Sequence, residues 1–347
     1  VSSQCVRALD YDRDGDLDVL IAGRQIPGKY PLPARSYLLR NDGSRFTDVT
    51  AEVAPGLANP GLVCDALPLD VDGDRDDDLV LVGEWMPVTV FRNEKGIFTS
   101  QFSSGTPPVL NSQGWYTCLA AGDFDHDGDP DLLLGNEGLN TLYRASPAEP
   151  VRIVGKDFND DGLFDPFLGY VIDGTHYPAP PRDVLNQQVV QFRRKFLHYS
   201  DYAKARFDDL FSENDLKDAY RGEARELRSC YAENLGGGKF SLRPLPGLAQ
   251  MAPIFGFVVR DFDNDGHLDA LATGNFFGNE ANTGRQDASP GLLLRGDGRG
   301  GFTVLGADQT GFRVAGDARR SYLLRNPNRV VTGVNGGGVA VQGWTGK

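Results

Sequence analysis

Five nine-residue acidic runs constrain this chain more than any other feature. They read DYDRDGDLD from Asp10, DVDGDRDDD from Asp70, DFDHDGDPD from Asp123, DFNDDGLFD from Asp157 and DFDNDGHLD from Asp261. Together they hold 24 of the 48 Asp and Glu residues within 45 of the 347 positions. Carboxylates a few ångströms apart repel one another, so such density inside a folded segment calls for a counter-charge. An apolar stretch follows each run (VLIAG, LVLVG, LLLGN, PFLGY and ALATG), unlike a solvated acidic tail, so the runs belong to a folded core.

Positions 1, 3, 5 and 9 of the runs carry Asp or Asn. They are Asp10, Asp12, Asp14 and Asp18; Asp70, Asp72, Asp74 and Asp78; Asp123, Asp125, Asp127 and Asp131; Asp157, Asn159, Asp161 and Asp165; Asp261, Asp263, Asp265 and Asp269. Oxygen-only, carboxylate-rich donors suit a hard cation, and roughly six to eight oxygens on a flexible loop describe Ca²⁺ better than Mg²⁺. Alternate residues converge on one ion only if the loop curls tightly, and Gly15, Gly128, Gly162 and Gly266 at position 6 permit that curl. Position 7 (Asp16, Asp76, Asp129, Leu163, His267) is then expected to offer its backbone carbonyl, which explains its varied side chains. The second run has Gly73 at position 4 and Arg75 at position 6, so its site is predicted to be weaker. An EF-hand needs an acidic twelfth residue and flanking helices. Position 12 here is Ile21, Leu81, Leu134, Leu168 or Ala272, and strand-like residues follow, so the loops are read as calcium loops within β-hairpins. Five Ca²⁺ ions would carry ten positive charges against the formal −13 of the chain.

The segments around the runs also recur. CVRALD, DVLIAG, SYLLRN and RFTDVT surround the first run, and DALPLD, LVLVGEW, VTVFRN and IFTSQF the second. Similar pieces return as LYRAS, YAENLGGGKFSL and LLLRGDGRGGFTVL, and a sixth unit as FRVAGDARR, SYLLRN, RVVTGV and VAVQGW, keeping only Gly316 and Asp317 of its loop. The expected fold class is all-β: a single β-propeller domain over residues 1–347, of six blades or of seven if further residues complete one. The steps between loops are 60, 53, 34, 104 and 56 residues. The short step predicts a third blade with a missing or very short outer strand, and the long one a small α-helical insertion, residues 182–232, within blade 4. Leu185, Val189, Phe192 and Phe196 there follow a helical period.

The DxDxDGxxD loop, the apolar strand after it, and the LLRNDG and RFTDVT segments resemble the FG-GAP/VCBS repeats of integrin-α-type propellers and bacterial surface proteins. The helical insertion, QMAPIFGF (Gln250 to Phe257) and GRQDASPG (Gly284 to Gly291) further resemble bacterial VCBS-repeat proteins of the cartilage-acidic-protein-like type. The resemblance implies a calcium-stabilised propeller, extracellular or on a cell surface, often one domain of a larger chain, with the loop carboxylates as ligands. Monomeric behaviour of the domain is expected.

If the calcium loops join first and second strands, the second-to-third connections emerge on the opposite face. Those from Arg24 to Arg35, from Asp173 to about Glu233 and from Asn275 to Pro290 are long, and long loops in compact domains are often functional. They and a shorter neighbour carry Tyr30, Arg35, Trp85, Phe276, Phe277, Glu280, Arg285 and Asp287, among them the aromatic and Arg types enriched at binding hot spots. A ligand face for a protein or a glycan is expected there.

No catalytic motif stands out. His126 and His267 lie within calcium loops, His176 and His198 in the insertion region, and no GxSxG, HExxH or phosphate-cradling loop is present. The expectation is a non-enzymatic interaction or adhesion module. A lectin-like propeller is the alternative, and a polysaccharide lyase or glycosidase the third reading. The acid excess argues against nucleic acid, and no apolar run reaches the ~20 residues of a membrane helix. Cys5, Cys64, Cys118 and Cys230 form no metal or CxxC spacing and are expected as buried small hydrophobes. No secretory leader precedes Val1, which suits a cytosolic chain or a fragment trimmed from a longer one, and millimolar extracellular calcium favours the extracellular setting.

Overall fold

Among the described residues, six antiparallel sheets hold most of the regular structure. The computed structural model describes residues 2–100, 112–280, 283–324 and 329–343. Gln101 and Phe102 of the expected IFTSQF strand, Arg325 and Asn326 of the second SYLLRN, and Trp344 lie outside the described residues.

The first sheet runs in chain order through β1 (Ser2–Leu9), β2 (Asp18–Gln25), β3 (Tyr37–Asn41) and β4 (Phe46–Asp48). The second repeats it with β5 (Leu62–Leu69), β6 (Asp78–Met86), β7 (Thr89–Glu94) and β8 (Ile97–Ser100), and short β9 (Gly114–Trp115) also pairs with β6. The third opens with β10 (Cys118–Gly122) and β11 (Asp131–Gly135). There simple repetition stops. The chain builds a whole fourth sheet from β12 (Val151–Lys156), β13 (Asp165–Ile172), β14 (Thr175–Pro178) and β15 (Tyr220–Ala224), in the order β14-β13-β12-β15. Only then do β16 (Cys230–Asn234) and β17 (Phe240–Pro244) complete the third sheet beside β11. The fifth sheet is β18 (Ile254–Arg260), β19 (Asp269–Gly274), β20 (Leu292–Gly296) and β21 (Phe302–Leu305). Three strands form the sixth, β22 (Ala318–Leu323), β23 (Arg329–Val334) and β24 (Val339–Gly343).

Three expectations change. The third unit lacks no outer strand: YAENLGGGKFSL supplies it, and the 34-residue step is short because the fourth loop belongs to a nested sheet. Within residues 182–232, helical structure is confined to Arg182–Gln188, Phe192–Lys195, Tyr199–Tyr202 and a 3₁₀ turn at Phe207–Asp209, between β14 and β15. Leu185, Val189, Phe192 and Phe196 do share one buried face, packed with Phe167 and Phe207, but Tyr220–Ala224 pairs as a strand with β12. The segment after Asp173 is therefore no long loop; Asp173 and Gly174 turn directly into β14. In the sixth unit Gly316 and Asp317 precede the first strand, and SYLLRN begins within that strand, so GDARR is not a decayed metal loop.

Sheets one, two, three, five and six stack face to face in that order. Leu20, Ala22 and Leu38 of the first pack on Ala66, Leu79 and Phe91 of the second. Val80, Val82 and Val90 on the other side of the second meet Leu132, Leu134 and Ala232 of the third. Leu133 and Tyr231 then meet Ala270 and Leu294 of the fifth, and Leu271 and Leu293 meet Ala318 and Val330 of the sixth. Strands buried on both faces read as continuous apolar runs, which is why β6 begins DLVLVG rather than alternating. The fourth sheet stands outside this stack. Its Val151, Ile153 and Ala224 pack beside Leu62 and Trp85 of the second sheet, and its other residues hold the helices.

Register equivalence marks one face as different. In the second sheet Leu79, Leu81, Phe91 and Phe98 are buried. The same positions in the first sheet are Val19, Ile21, Leu39 and Phe46; the first three are partly exposed and Phe46 is 54% exposed.

Candidate metal loops and the cleft on the opposite face

All five acidic runs connect first and second strands of the β1–β2, β5–β6, β10–β11, β12–β13 and β18–β19 hairpins. A shared backbone path explains their sequence. Position 4 has positive φ in every run (Arg13 60°, Gly73 80°, His126 65°, Asp160 59°, Asn264 62°), and so does position 6 (Gly15 96°, Arg75 77°, Gly128 96°, Gly162 86°, Gly266 92°). Two left-handed residues two apart curl the loop, so that in four of the loops the carboxylates at positions 1 and 3 converge with that at position 9 or 5.

Hydrogen bonds hold the curl. The position-6 N–H donates to the position-1 carboxylate at Gly15–Asp10 (3.2 Å), Arg75–Asp70 (2.8 Å), Gly162–Asp157 (2.8 Å) and Gly266–Asp261 (3.0 Å). Position 7 donates its N–H to the position-5 carboxylate in all five loops, at 2.8–3.0 Å. Its side chain is then free for other work. Leu163 points to solvent, and His267 Nδ1 lies 2.9 Å from His126 Nε2 of the third loop.

Position 9 plays a structural part that ligand counting had missed. Asp18, Asp78, Asp131 and Asp269 are fully buried, and each takes two backbone N–H groups. One comes from position 2 of its own loop: Tyr11 (3.2 Å), Val71 (3.2 Å), Phe124 (3.1 Å) and Phe262 (2.9 Å). The other comes from the third strand of its sheet: Asn41 (2.8 Å), Asn93 (2.7 Å), Asn234 (2.8 Å) and Gly296 (3.0 Å). Asp165 keeps only the first bond among those described, from Phe158 at 3.1 Å. Burial raises these five carboxyls above the usual range, Asp78 to about 6, while the backbone donors pull back toward the charged form.

The third-strand Asn also reaches sideways. Asn93 Nδ2 donates to the Tyr11 carbonyl of the first loop (2.9 Å), and Asn234 Nδ2 to the Val71 carbonyl of the second (2.9 Å). In the fifth sheet, which has Gly296 in place of Asn, the Gly300 N–H caps the Phe124 carbonyl at 3.1 Å. Sheets two, three and five thus each latch onto the loop of the sheet before them in the stack, which gathers the first, second, third and fifth loops at one end of it.

The donor set fits a cation. Carboxylate oxygens lie within 4.8 Å of one another in four groups: Asp10, Asp12 and Asp18; Asp70, Asp72 and Asp78; Asp123, Asp125 and Asp127; Asp261, Asp263 and Asp265. Asp10 Oδ1 and Asp123 Oδ1 are buried with no hydrogen-bond partner, costly for a carboxylate unless a cation meets it. The fourth loop forms no such group of three acids: Asn159 turns its amide nitrogen to Asp161 Oδ2 (2.9 Å) and to the Gln188 carbonyl (3.1 Å).

The second loop keeps the common hydrogen bonds despite Arg75. What distinguishes it is neutralisation by arginine. Arg92 reaches Asp72, and Arg13 of the first loop pairs with Asp76 at 2.8 Å. Arg75 also occupies a left-handed conformation that costs an L-residue about 1–2 kcal/mol. Arg75→Gly is expected to stabilise the protein by about 0.5–1 kcal/mol, glycine's unfolded-state entropy offsetting part of the relief. Urea unfolding in calcium checks this; no gain would mean the strain is absorbed elsewhere.

At the other end of the strands, Tyr30, Trp85, Phe276 and Arg285 line one cleft of about 970 Å³. Trp85 Nε1 donates to Tyr30 Oη at 2.7 Å, and Arg285 lies 5.1 Å over the Phe277 ring. Glu280 lines it too. Arg35 is turned away, paired with Asp48 at 2.8 Å and lying over Tyr37, and Asp287 is exposed outside the lining. Trp85 has φ +59°, an unusual conformation for a bulky residue that draws attention to this site.

Much of the cleft was not foreseen. Trp115 on β9, Glu137 and Tyr143 after β11, and Tyr170 on β13 form walls that the sequence scatters. Arg24 and Glu84, 60 residues apart, form an ion pair within it. Burial lifts Glu137 to about 7, only partly offset by the Gln286 amide that donates to it. Only docking of the fourth sheet brings Tyr170 here, and no local signal announces that. All four cysteines are buried and unpaired by disulfides, and burial raises the Cys5 thiol to about 11.

A mostly β chain of repeated sheets with acidic hairpin loops defines the class. Residues 70–134, which span the second and third loops, match the family model of the FG-GAP-like repeat. No curated protein matches the chain. Among the described residues no helix is long and apolar enough to cross a membrane.

Proposed function

We propose that this chain is a calcium-stabilised β-propeller module of an extracellular or cell-surface protein, and that it binds a partner through the cleft opposite its metal loops. Sheets one, two, three, five and six are the blades, and the fourth sheet with its helices is an insertion that builds one wall of the cleft. The half-exposed Val19, Ile21, Leu39 and Phe46 are the surface on which one further blade would pack, because the same register positions are covered by the preceding sheet elsewhere. Ca²⁺ is the ion favoured by all-oxygen donors, and loops one, three and five are its best sites. The module is read as non-enzymatic, with interaction or adhesion as its task.

The single observation that carries the reading is the cleft: concave, aromatic, and assembled from connections of several sheets held rigid by the loop latches at the far end. The test is capture of extracellular material on immobilised protein, in millimolar calcium and in excess EDTA. Capture that needs calcium and is lost with Trp85→Ala supports the reading. Capture indifferent to both places the interaction elsewhere.

A further inference from the structure

The cleft combines an aromatic wall with cancelled charge. Trp85 and Trp115 meet edge to face at 5.0 Å, Trp115 and Tyr143 at 5.4 Å, and Tyr143 and Tyr170 at 5.8 Å. Trp85 is itself buried and backs the wall, so the ring surface within reach of a ligand is that of the partly exposed Trp115, Tyr143 and Tyr170. Arg24 is neutralised by Glu84. Arg319 is paired with Asp317 at 2.9 Å and lies over Phe255 and Phe276 at 4.1 and 5.1 Å. Glu137, pushed up to about 7 by burial, has the Gln286 amide rather than a cation as its partner. Arg285, over the Phe277 ring, and Glu280 also line the cleft and carry opposite charges, so the lining holds no excess of either sign, and among the described residues no metal-ligand cluster of carboxylates lies in it.

Two donors in this lining stay unsatisfied. Trp115 Nε1 and Arg24 Nε are buried with no hydrogen-bond partner. Both atoms lie behind the cleft surface, out of a ligand's reach, and the polar lining that a ligand meets includes the exposed Asn140 and the partly exposed Thr141 and Asn279, so a ligand rich in hydroxyl groups is favoured. That ligand must also present apolar faces to the rings and carry no net charge. An uncharged sugar has all three properties, with C–H faces on one side and hydroxyl oxygens at the edge.

Resting on the reading of this cleft as the ligand site, we infer that its ligand is a neutral saccharide, seated on the Trp115–Tyr143–Tyr170 wall, with its hydroxyls meeting the Asn140, Thr141 and Asn279 side chains. The experiment is an array of neutral, sulfated and uronate-containing oligosaccharides, followed by calorimetric titration of the best neutral hit. Wild type, Trp115→Ala and Tyr143→Ala are compared in millimolar calcium. Neutral oligosaccharides are expected to bind, and each substitution to weaken the best of them about tenfold or more. Quenching or shift of wild-type tryptophan fluorescence on saturation gives the same answer if a variant fails to fold. Binding confined to sulfated or uronate ligands overturns the neutral class. Absence of any saccharide binding, with a protein partner still lost on Trp115→Ala, overturns the saccharide while keeping the cleft. Saccharide binding undisturbed by both variants, with no fluorescence change, overturns the site itself.

Discussion

Removing calcium is expected to lower the thermal midpoint by roughly 10–20 °C. Ligand that binds only the folded state contributes RT ln(1 + [L]/Kd) per site, about 1.4 kcal/mol at ten times Kd. Three or four such sites, the number of converged acidic groups being four, contribute about 4–6 kcal/mol. At about 2–4 °C per kcal/mol for a chain of this order, the shift follows. The apo loops also keep like charges in contact, which adds to the effect. Differential scanning fluorimetry in EDTA and in millimolar Ca²⁺ measures it, and coincident melts would remove calcium from the account of this fold. Mg²⁺ at the same concentration is expected to restore much less, because it tolerates curved, crowded carboxylate cages poorly.

The second large effect concerns one buried carboxylate among the first strands of the sheets. Asp65 on β5 is fully buried and accepts from Arg7 of β1, from Arg320 of β22 and from the Leu119 N–H of β10 at 3.2 Å. One side chain thus ties together sheets one, two, three and six. Its attraction raises the Arg320 guanidinium above its ordinary range despite burial. Asp65→Asn leaves two guanidiniums, each about 30% exposed, without their counter-ion. Breaking a buried pair costs about 3–5 kcal/mol; partial solvation of the arginines places this variant near the lower figure, about 3 kcal/mol. Urea unfolding in saturating calcium isolates it from the metal sites. A loss under about 1 kcal/mol would show that water solvates both arginines and that the first strands hold together without the triad.

Different parts of the molecule were legible to different degrees. The loops could be read almost residue by residue, because a nine-residue curl is governed by its own φ angles and its own donors, as Gly15, Gly128, Gly162 and Gly266 show. Asp18, Asp78, Asp131 and Asp269 were recognised as belonging to the loops. Their bonds to Asn41, Asn93, Asn234 and Gly296 were invisible, since those partners lie 15 to 103 residues away. Tyr30, Trp85, Phe276 and Arg285, expected together from connection topology, line one cleft. Arg35 and Asp287 have the same residue character and the same sort of loop but lie outside that lining, Arg35 because its side chain turns to Asp48 and Tyr37.

The acidic repeat, its curled backbone and the alternation of strands around it are local properties, and local propensity and spacing were enough to state them. Which strands share a sheet is another matter. YAENLGGGKFSL could join the fourth unit as readily as the third by composition. It joins the third because Asn234 finds Asp131 and the Val71 carbonyl there, and because Cys230 and Ala232 fill the space against the second sheet. The same non-local competition for buried surface carries the fourth sheet out of the stack, where its Tyr170 completes the aromatic wall of the cleft.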